Sequence, residues 1–243
     1  MRLRQRCLDV KNLKKGLLLL ALVGGIGNIQ AQRLPKNQPN FDKKPIHFGF
    51  SIGINYFDFN IEEIADLANL PEYYSVSSNV SPSYTIRIIS NLRLADYLDL
   101  RFNPGFAATE RSLTFDLVEP ISQVRQKVTR KIESSYIELP VELKWKSERI
   151  RNYRLYVTGG GKYNIDLASK EDVQDDRIFK LAKRDFAYEF GFGVDIYFEY
   201  FKFSPQIIAS WGVSDLMVQD GTFYVEGIHR LQTRSILINF TFE

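Results

Sequence analysis

A two-residue alternation of apolar and polar side chains is the feature that most constrains how this chain can fold. From residue 48 to residue 56, every even position holds Phe, Ile or Tyr, and the positions between them hold Gly, Ser or Asn. Alternation of this kind places the two sets on opposite faces of a β-strand. The pattern recurs and predicts eight strands, near residues 47–59, 82–88, 98–106, 136–145, 153–165, 185–196, 201–211 and 235–242.

The lengths of the connections predict how these strands are arranged. Short connections near residues 93–96, 147–152 and 199–200 alternate with long ones at about residues 60–80, 109–131, 166–184 and 213–229. Outer-membrane barrels combine short periplasmic turns with longer external loops in this way. The sequence therefore predicts an all-β fold, a transmembrane antiparallel up-and-down β-barrel of eight strands over residues 47–243, with both termini in the periplasm.

Several local features refine this prediction. Pro82, Pro104, Pro140 and Pro205 each remove an amide donor from a ladder, so strand ends or bulges are expected there. Residues 61–70 are expected to form a short helix in the first long connection. The connection at residues 109–131 mixes basic and apolar side chains, which predicts either a loop that contacts another protein or a hairpin that extends the third and fourth strands.

The residues before the barrel divide into two parts. Six basic residues and the apolar stretch 17–26 indicate a signal peptide over residues 1–31, removed after Ala31. The alternative is a short membrane anchor, but a stretch of this length falls short of the roughly 20 residues that cross a bilayer core. Residues 32–46 hold three prolines and mixed charge, and are expected to form an extended, poorly ordered periplasmic linker.

Composition excludes several kinds of function. The leader holds six of the 32 basic and one of the 29 acidic residues, which leaves 26 and 28 and a net charge of −2. This balance gives no indication of nucleic-acid binding. The only cysteine, Cys7, lies in the leader, the two histidines are His47 and His229, and Gly159–Gly161 lacks the Lys-Ser/Thr of a phosphate loop. We therefore expect no enzyme activity, cofactor, metal or small-molecule substrate, and a thin, bendable stretch of wall at the three glycines.

The direction of the apolar face separates a membrane barrel from a soluble, lipocalin-like barrel, in which that face points inward. Aromatic residues near the predicted strand ends favour lipid outside, because membrane barrels carry aromatic girdles at both interfaces. The candidate interfacial aromatics are Tyr56, Tyr97, Trp145, Tyr153, Tyr163, Tyr197, Tyr200 and Trp211.

The opposite face carries charges of both signs. The candidate lumen charge network comprises Arg87, Asp99, Arg101, Glu138, Glu142, Lys144, Lys162, Glu189 and Asp195. The interior of an eight-stranded barrel is just wide enough for side chains to fill it. We expect these charges to pair and form a packed polar interior, because buried charges need partners to be tolerated. The alternative is a functional path for protons or ions.

Four segments carry a resemblance to a known family. They are residues 137–147 (IELPVELKWKS), 159–169 (GGGKYNIDLAS), 197–207 (YFEYFKFSPQI) and 235–243 (SILINFTFE). In order and spacing they resemble the PorT family of outer-membrane proteins, part of the type IX secretion system of Bacteroidetes. The resemblance implies a role in the export of cargo such as secreted proteases, with other secretion-system proteins and outer-membrane lipid as partners.

Barrel width limits what that role can be. An eight-stranded barrel is too narrow to pass a folded protein. The resemblance therefore implies an accessory that acts in assembly or organisation of the machinery and is not the conduit. The alternative is a structural or adhesive outer-membrane barrel whose long surface loops bind an external partner. In both cases the function is expected to lie in the long loops and not in the lumen.

Overall fold

The computed structural model describes residues 36–64, 73–118, 124–169, 180–218 and 227–243. The predicted signal peptide and its cleavage site lie outside these residues. A short 3₁₀ turn (Phe41–Lys43) precedes the first strand. The strands are β1 (Ile46–Glu63), β2 (Tyr73–Asn79), β3 (Ser81–Arg93), β4 (Leu98–Phe102), β5 (Gly105–Val118), β6 (Arg125–Lys146), β7 (Tyr153–Asp166), β8 (Arg184–Tyr197), β9 (Lys202–Gly212) and β10 (Ile228–Phe242). The described part of the chain holds no helix long and apolar enough to cross a membrane.

The strands form one antiparallel sheet that closes into a ring. β1 pairs with β10 on one side and with β3 on the other. The ring then passes through β4 and β5 to β6, and through β7, β8 and β9 back to β10. β4 and β5 together act as one spanning strand, because both lie between β3 and β6 and only Asn103 and Pro104 separate them. The prediction of an eight-stranded up-and-down barrel is confirmed, and β2 is an addition that pairs with β5 outside the ring.

The four prolines lie where a strand lacks one of its neighbours. Pro104 separates β4 from β5, and Pro140 of β6 lies opposite the same gap, while its pairing with β7 is uninterrupted. Pro205 falls in a break of the β8–β9 ladder, and Pro82 precedes the point where β3 begins to pair with β5. Each missing amide donor therefore faces a gap, which explains why Pro140 and Pro205 are tolerated within long strands.

The two ends of the barrel differ as predicted. At one end, which we call the turn end, β3 joins β4, β6 joins β7 and β8 joins β9 through short connections, and Ile46 and Glu243 lie there too. The opposite end, which we call the loop end, carries the longer connections. The expected helix at residues 61–70 is wrong for residues 61–63, which continue β1, and the rest of that segment lies outside the described residues.

The predicted connection at residues 109–131 is mostly strand. β5 continues to Val118 and β6 begins at Arg125, in an unbroken register from Gly105–Glu138 to Val118–Arg125. The hairpin alternative is therefore correct, and β2 adds a third strand to it. Apolar side chains predicted to contact another protein, such as Leu113 and Phe115, are instead completely buried.

The faces that carry apolar and polar side chains exchange toward the loop end of the barrel. Along most of the wall, apolar side chains such as Phe48, Tyr84 and Phe190 are more than half exposed on the outside, while polar ones are buried inside. Above the middle of β5, Leu113 and Phe115 face inward while the alternate Ser112 and Thr114 are partly exposed. A wall that is apolar outside is typical of lipid contact, and one that is polar outside is typical of water. The inversion therefore marks where the sheet leaves the hydrocarbon.

An apolar cluster fills the loop end. Strands and connections both contribute to it, and Ala182 and Leu231 tie the connections together through backbone hydrogen bonds with Leu216. We call this set the loop-end cluster, consisting of Phe59, Val76, Leu113, Phe115, Ile132, Leu181, Leu216, Ile228 and Leu231. It closes the barrel interior above the polar section.

Close packing between strands requires glycine at several positions of the wall, and two of them show the cause. A Cβ atom on Gly160 would lie 2.0 Å from the carbonyl oxygen of Val141 on β6. A Cβ atom on Gly193 would lie 2.4 Å from the ring of Tyr156, which fills the interior beside it. A Cβ atom on Gly159 or Gly161 would have its nearest neighbour at 4.0 or 3.9 Å, which is ordinary van der Waals contact. Only the middle residue of the three is therefore required to be glycine for steric reasons.

Candidate functional site: the charged barrel interior

The centre of the barrel holds a cluster of four charges contributed by four strands. Glu138 on β6 accepts hydrogen bonds from Arg87 Nε at 3.0 Å and from Arg87 Nη2 at 2.8 Å. Its other oxygen lies 3.3 Å from Lys162 Nζ, which also lies 2.8 Å from Glu189. Arg87 and Glu189 are 3.9 Å apart, and all four side chains are almost completely buried. Because each cation contacts both carboxylates, these four charges neutralise one another. A further buried carboxylate, Glu142, lies beside Glu189.

A second pair lies nearer the turn end. Lys144 Nζ donates to both oxygens of Asp195, at 2.7 and 2.8 Å, and Ser204 Oγ donates to the same carboxylate at 2.6 Å. The Lys144 ammonium also lies 3.6 Å from the centre of the Tyr156 ring. The carboxylate and the aromatic face thus compensate for the burial of this lysine, and the Ser204 hydroxyl adds a donor to the carboxylate.

The turn end carries a third group, which includes the last residue of the chain. Arg101 donates to Glu243 at 2.8 Å, and Lys202 contacts the same carboxylate. Lys146 lies 2.6 Å from Asp99. Glu243 reaches this position because its backbone pairs with Lys202 of β9, which draws the end of the chain into the barrel mouth.

Residues before β1 cover the turn end. Asp42 accepts a hydrogen bond from the Tyr197 hydroxyl at 2.7 Å and lies 3.1 Å from Arg154 and 3.3 Å from Arg149. The neighbouring Phe41 stacks on His47 with ring centres 4.4 Å apart. We call residues 36–45 the N-terminal cap. The expectation of a poorly ordered linker is wrong for these residues, because Asp42 supplies the charge that two arginines at the barrel mouth require.

The electrostatic setting of Asp42 gives the cap a dependence on pH. Partial burial alone would raise the pKa of this carboxyl, but the Tyr197 hydrogen bond and the charges of Arg154 and Arg149 outweigh it and lower the pKa below the ordinary 3.8. A lowered pKa in the folded state means that the carboxylate stabilises the fold above its unfolded-state pKa. That contribution is lost as the pH falls through the folded-state pKa.

Replacing Asp42 with Asn is expected to release the N-terminal cap without unfolding the barrel. The amide keeps the shape of the side chain but removes the charge that faces Arg149 and Arg154. Amide hydrogen exchange in residues 36–46 should rise by about tenfold, the effect of losing roughly one charge-assisted hydrogen bond. The matched control is Asp96→Asn, which removes an exposed turn carboxylate that pairs with Arg93. Unchanged exchange in residues 36–46 of the Asp42 variant would contradict the role of this carboxylate.

Near the loop end, Arg111 is buried among rings and hydroxyls. Its guanidinium carbon lies 4.1 Å from the centre of the Phe59 ring, and it donates to Ser134 at 3.0 Å and to Thr233 at 3.1 Å. It also donates to the Tyr136 hydroxyl. Sequence reasoning missed this residue because it fell in a segment interpreted as a loop. The alternation of Arg111, Leu113 and Phe115 with smaller polar residues was the available signal.

The structure places all nine candidate lumen residues inside the barrel. They form the central cluster, the Lys144–Asp195 pair and the turn-end group, while Glu142 accepts a hydrogen bond from Asn103 at 3.2 Å. Other members of the network were not anticipated, namely Asp42, Arg111, Lys146, Arg154, Lys202 and Glu243. These members lie at the mouths of the barrel, where the alternation that identified the lumen face begins or ends.

The structure corrects one of the eight candidate interfacial aromatics. Tyr197 is 2% exposed and points into the barrel mouth, where it bonds to Asp42. It lies an even number of residues from Glu189 and Asp195 on β8, so its side chain points inward as theirs do. Tyr97 and Tyr200 lie in the short connections at the turn end. The remaining candidates lie on the outer wall: Tyr56, Trp145, Tyr153, Tyr163 and Trp211. Trp211 stacks on Tyr188 near the loop end, at 5.3 Å between ring centres.

The arrangement supports a structural role for the interior charges. Oppositely charged groups contact one another through the middle of the barrel, the N-terminal cap covers one end and the loop-end cluster fills the other. Interior polar atoms such as Ser51 Oγ and Thr85 Oγ1 have no protein partner within the described residues, and isolated water molecules are the usual partner of such atoms.

A family model agrees with this architecture. The family model described as outer membrane protein beta-barrel domain matches residues 30–218. No curated protein matches the chain. Among solved structures, Neisserial surface protein A is 7% identical with a TM-score of 0.43, over 82% of this chain and 98% of that one. The N-terminal β-barrel domain of Pseudomonas aeruginosa OprF is 12% identical with a TM-score of 0.30, over 79% and 96%.

The likeness to these two structures is too distant for any residue of theirs to be carried over. The family match stands on its own, because it covers well over half of the chain and most of the barrel whose closed ring and apolar outer wall are described above. This chain belongs to the outer membrane protein β-barrel domain family.

Proposed function

We propose that this protein is an accessory component of a type IX secretion system, needed for export of cargo such as secreted proteases and acting in assembly or organisation. The proposal takes its system from the resemblance of four segments to the PorT family. The observation that carries the accessory role is the filled interior. Paired charges occupy the middle, and the N-terminal cap and the loop-end cluster cover the ends, so the barrel offers no passage for a polypeptide.

The orientation of the barrel is part of this proposal. Short turns of outer-membrane barrels face the periplasm and long loops face outward. With the turn end in the periplasm, both ends of the barrel domain and the N-terminal cap lie on the side where secretion machinery is assembled. The loop end, with the sheet formed by β2, β5 and β6, lies outside the cell.

A second candidate is a structural or adhesive barrel that binds an external partner. The observation that favours it is the three-stranded sheet at the loop end. Its outward face carries Asn79, Ser112, Thr114 and Thr129, which are linked by side-chain hydrogen bonds of 3.1 to 3.3 Å. Such a regular polar surface extends the wall beyond what closure of the ring requires.

Deletion of the gene separates the two candidates. A secretion accessory predicts that cargo accumulates in the periplasm and falls by at least about tenfold in the medium, whereas an adhesive barrel predicts normal secretion. The measurement is immunoblotting of cargo in periplasmic and extracellular fractions, with complementation by the wild-type gene. Normal secretion by the deletion strain would exclude the secretion role.

Complementation with a shortened β5–β6 hairpin tests whether this hairpin is the surface needed for secretion. Asp116 and Lys127 are cross-strand partners, so replacing residues 117–126 with Asn-Gly keeps the register and closes a two-residue turn. If the hairpin docks a partner, this variant should assemble, as judged by heat-modifiability, and fail to restore secretion. Full restoration by this variant, with loss of secretion after neutralising the lumen charges, would reject the view that function lies in the loops.

A further inference from the structure

Two hollows on the outer wall near the loop end meet at Trp211 and Arg234. The polar hollow, about 460 Å³, is lined by Asn60, Tyr188, Arg230 and Gln232 in addition to these two residues. The apolar hollow, about 300 Å³, is lined mainly by Tyr56, Val80, Ala209 and Ile236 in addition to the same two, and Asp58, the partner of Arg234, also lines it. Because they share a wall, a single elongated molecule could occupy both.

The position of the hollows relative to the membrane follows from the outer face of β10. Ile236, Ile238 and Phe240 are exposed on this face and continue toward the turn end, which is typical of contact with hydrocarbon. Arg234 and Arg230 follow on the same face toward the loop end. The stacked pair of Trp211 and Tyr188 lies between the two regions, as aromatic girdles do at a membrane interface. The apolar hollow therefore lies at the level of acyl chains and the polar hollow at the level of headgroups.

The two arginines keep part of their hydrogen-bonding capacity free. Arg234 donates from Nε at 2.9 Å and from Nη2 at 2.5 Å to one oxygen of Asp58, and its side chain remains 57% exposed. Arg230 donates from Nη2 to the carbonyl of Val213 at 2.8 Å. A guanidinium has five N–H donors, so each retains donors that can turn toward the hollow. The carboxylates that face them are Asp58 and Glu62, the cross-strand neighbours of Arg234 and Arg230.

The apolar hollow exists because one residue in a row of large ones is small. Along β9, Ile207 and Trp211 point outward on either side of Ala209. Across the neighbouring strands, Ala209 pairs with Phe190 and Ile236. Its methyl group leaves a groove that opens toward lipid, and a larger side chain would fill it.

We propose that the two hollows bind one phosphate-bearing lipid of the outer leaflet, with its phosphate at Arg230 and Arg234 and an acyl chain in the groove over Ala209. The choice of leaflet rests on the orientation proposed above. Arginine binds phosphate bidentately, and the side-chain amide of Asn60 adds a neutral donor for a polar headgroup. An uncharged ligand would leave the remaining N–H donors of both arginines unused, and a free anion would leave the groove empty.

Native mass spectrometry of the purified, folded protein with added lipid A tests the proposal. The wild type should retain lipid A, and the double variant Arg230→Gln/Arg234→Gln should bind it at least about tenfold more weakly, as expected for loss of charge-assisted contacts. Ala209→Leu should weaken binding to a similar degree with all charges in place. The matched control is Arg184→Gln, which removes an exposed arginine of β8 that lines neither hollow.

Each alternative occupant gives a different result. Equal binding of dephosphorylated lipid A would overturn the assignment of a phosphate, and displacement of lipid A by millimolar inorganic phosphate with no effect of Ala209→Leu would overturn the assignment of a lipid. Equal losses in the Arg184 control and the double variant would show general attraction to anions and would also overturn it. Heat-modifiability of every variant confirms folding, and Ala209→Leu keeps the test decisive if loss of the Arg234–Asp58 pair prevents assembly.

Discussion

Replacing Glu138 with Gln is expected to lower the free energy of unfolding by about 3–5 kcal/mol, the cost of removing one partner from a buried ion pair. Glu138 lies 2.8 Å from Arg87 and 3.3 Å from Lys162, and it is completely buried. Its loss leaves two buried cations to share Glu189. The measurement is urea unfolding of the refolded protein in lipid vesicles, followed by tryptophan fluorescence and gel mobility.

Two matched variants test whether charge compensation is the cause. Glu189→Gln removes the same charge from the same cluster but leaves Glu138 bound to both cations, so its cost should be smaller. The double variant Arg87→Met/Glu138→Gln keeps the Lys162–Glu189 pair, at 2.8 Å. It should therefore recover part of the free energy of unfolding that Glu138→Gln loses. If Glu189→Gln proved as costly as Glu138→Gln, the cluster would not be organised around Glu138.

Replacing Phe190 with Arg is expected to destabilise the barrel by about 2–4 kcal/mol, the cost of a basic residue at the middle of the lipid-facing wall. Phe190 lies on β8, points outward and is 57% exposed, with Gly159 and Ala209 as its cross-strand partners. The arginine would have to leave the hydrocarbon or draw water into it. Unfolding in vesicles measures the loss, and heat-modifiability on gels shows whether the variant assembles.

The control for this prediction is a charge on the same face beyond the hydrocarbon. Thr129→Arg introduces the same side chain on β6 above the inversion of polarity, where the outer surface is polar. This change should alter stability by no more than about 0.5 kcal/mol, as surface substitutions usually do. A larger effect at Thr129 than at Phe190 would mean that the membrane boundary has been placed wrongly.

Local patterns in the sequence were sufficient to predict the wall of the barrel. Alternation identified the strands and both of their faces, because each strand within the membrane has lipid on one side and the polar interior on the other. The short turns were predicted correctly because the connections between those strands hold too few residues for a longer loop or a helix. The same rule failed above the membrane, where Leu113 and Phe115 turn inward and the outer surface becomes polar. The alternation continues there with apolar residues on the inner face and polar residues on the outer face, so a search for apolar outer faces could not decide between a loop and a hairpin.

The ends of the charge network could not be predicted, because their partners are far apart in the chain. Asp42 binds Arg149 and Arg154, and Arg101 binds Glu243. No local pattern connects such residues, and only closure of the ring brings them together. The prediction for Tyr197 failed for a different reason. Tyr197 lies two residues after Asp195 on β8 and so shares its inward direction, but its position near a strand end was given more weight.

The pairing of β1 with β10 makes closure of the ring a step between the two ends of the barrel domain. The first and last strands of the barrel must meet, with Phe50 beside Phe242, so closure is a long-range step with a large loop entropy. Until β10 arrives, β1 and β9 present open edges that can pair with other chains. The final residue, Glu243, also completes the environment of Arg101 and Lys202. Because this carboxylate arrives with β10, closure of the ring also supplies the counter-charge for both cations at the barrel mouth.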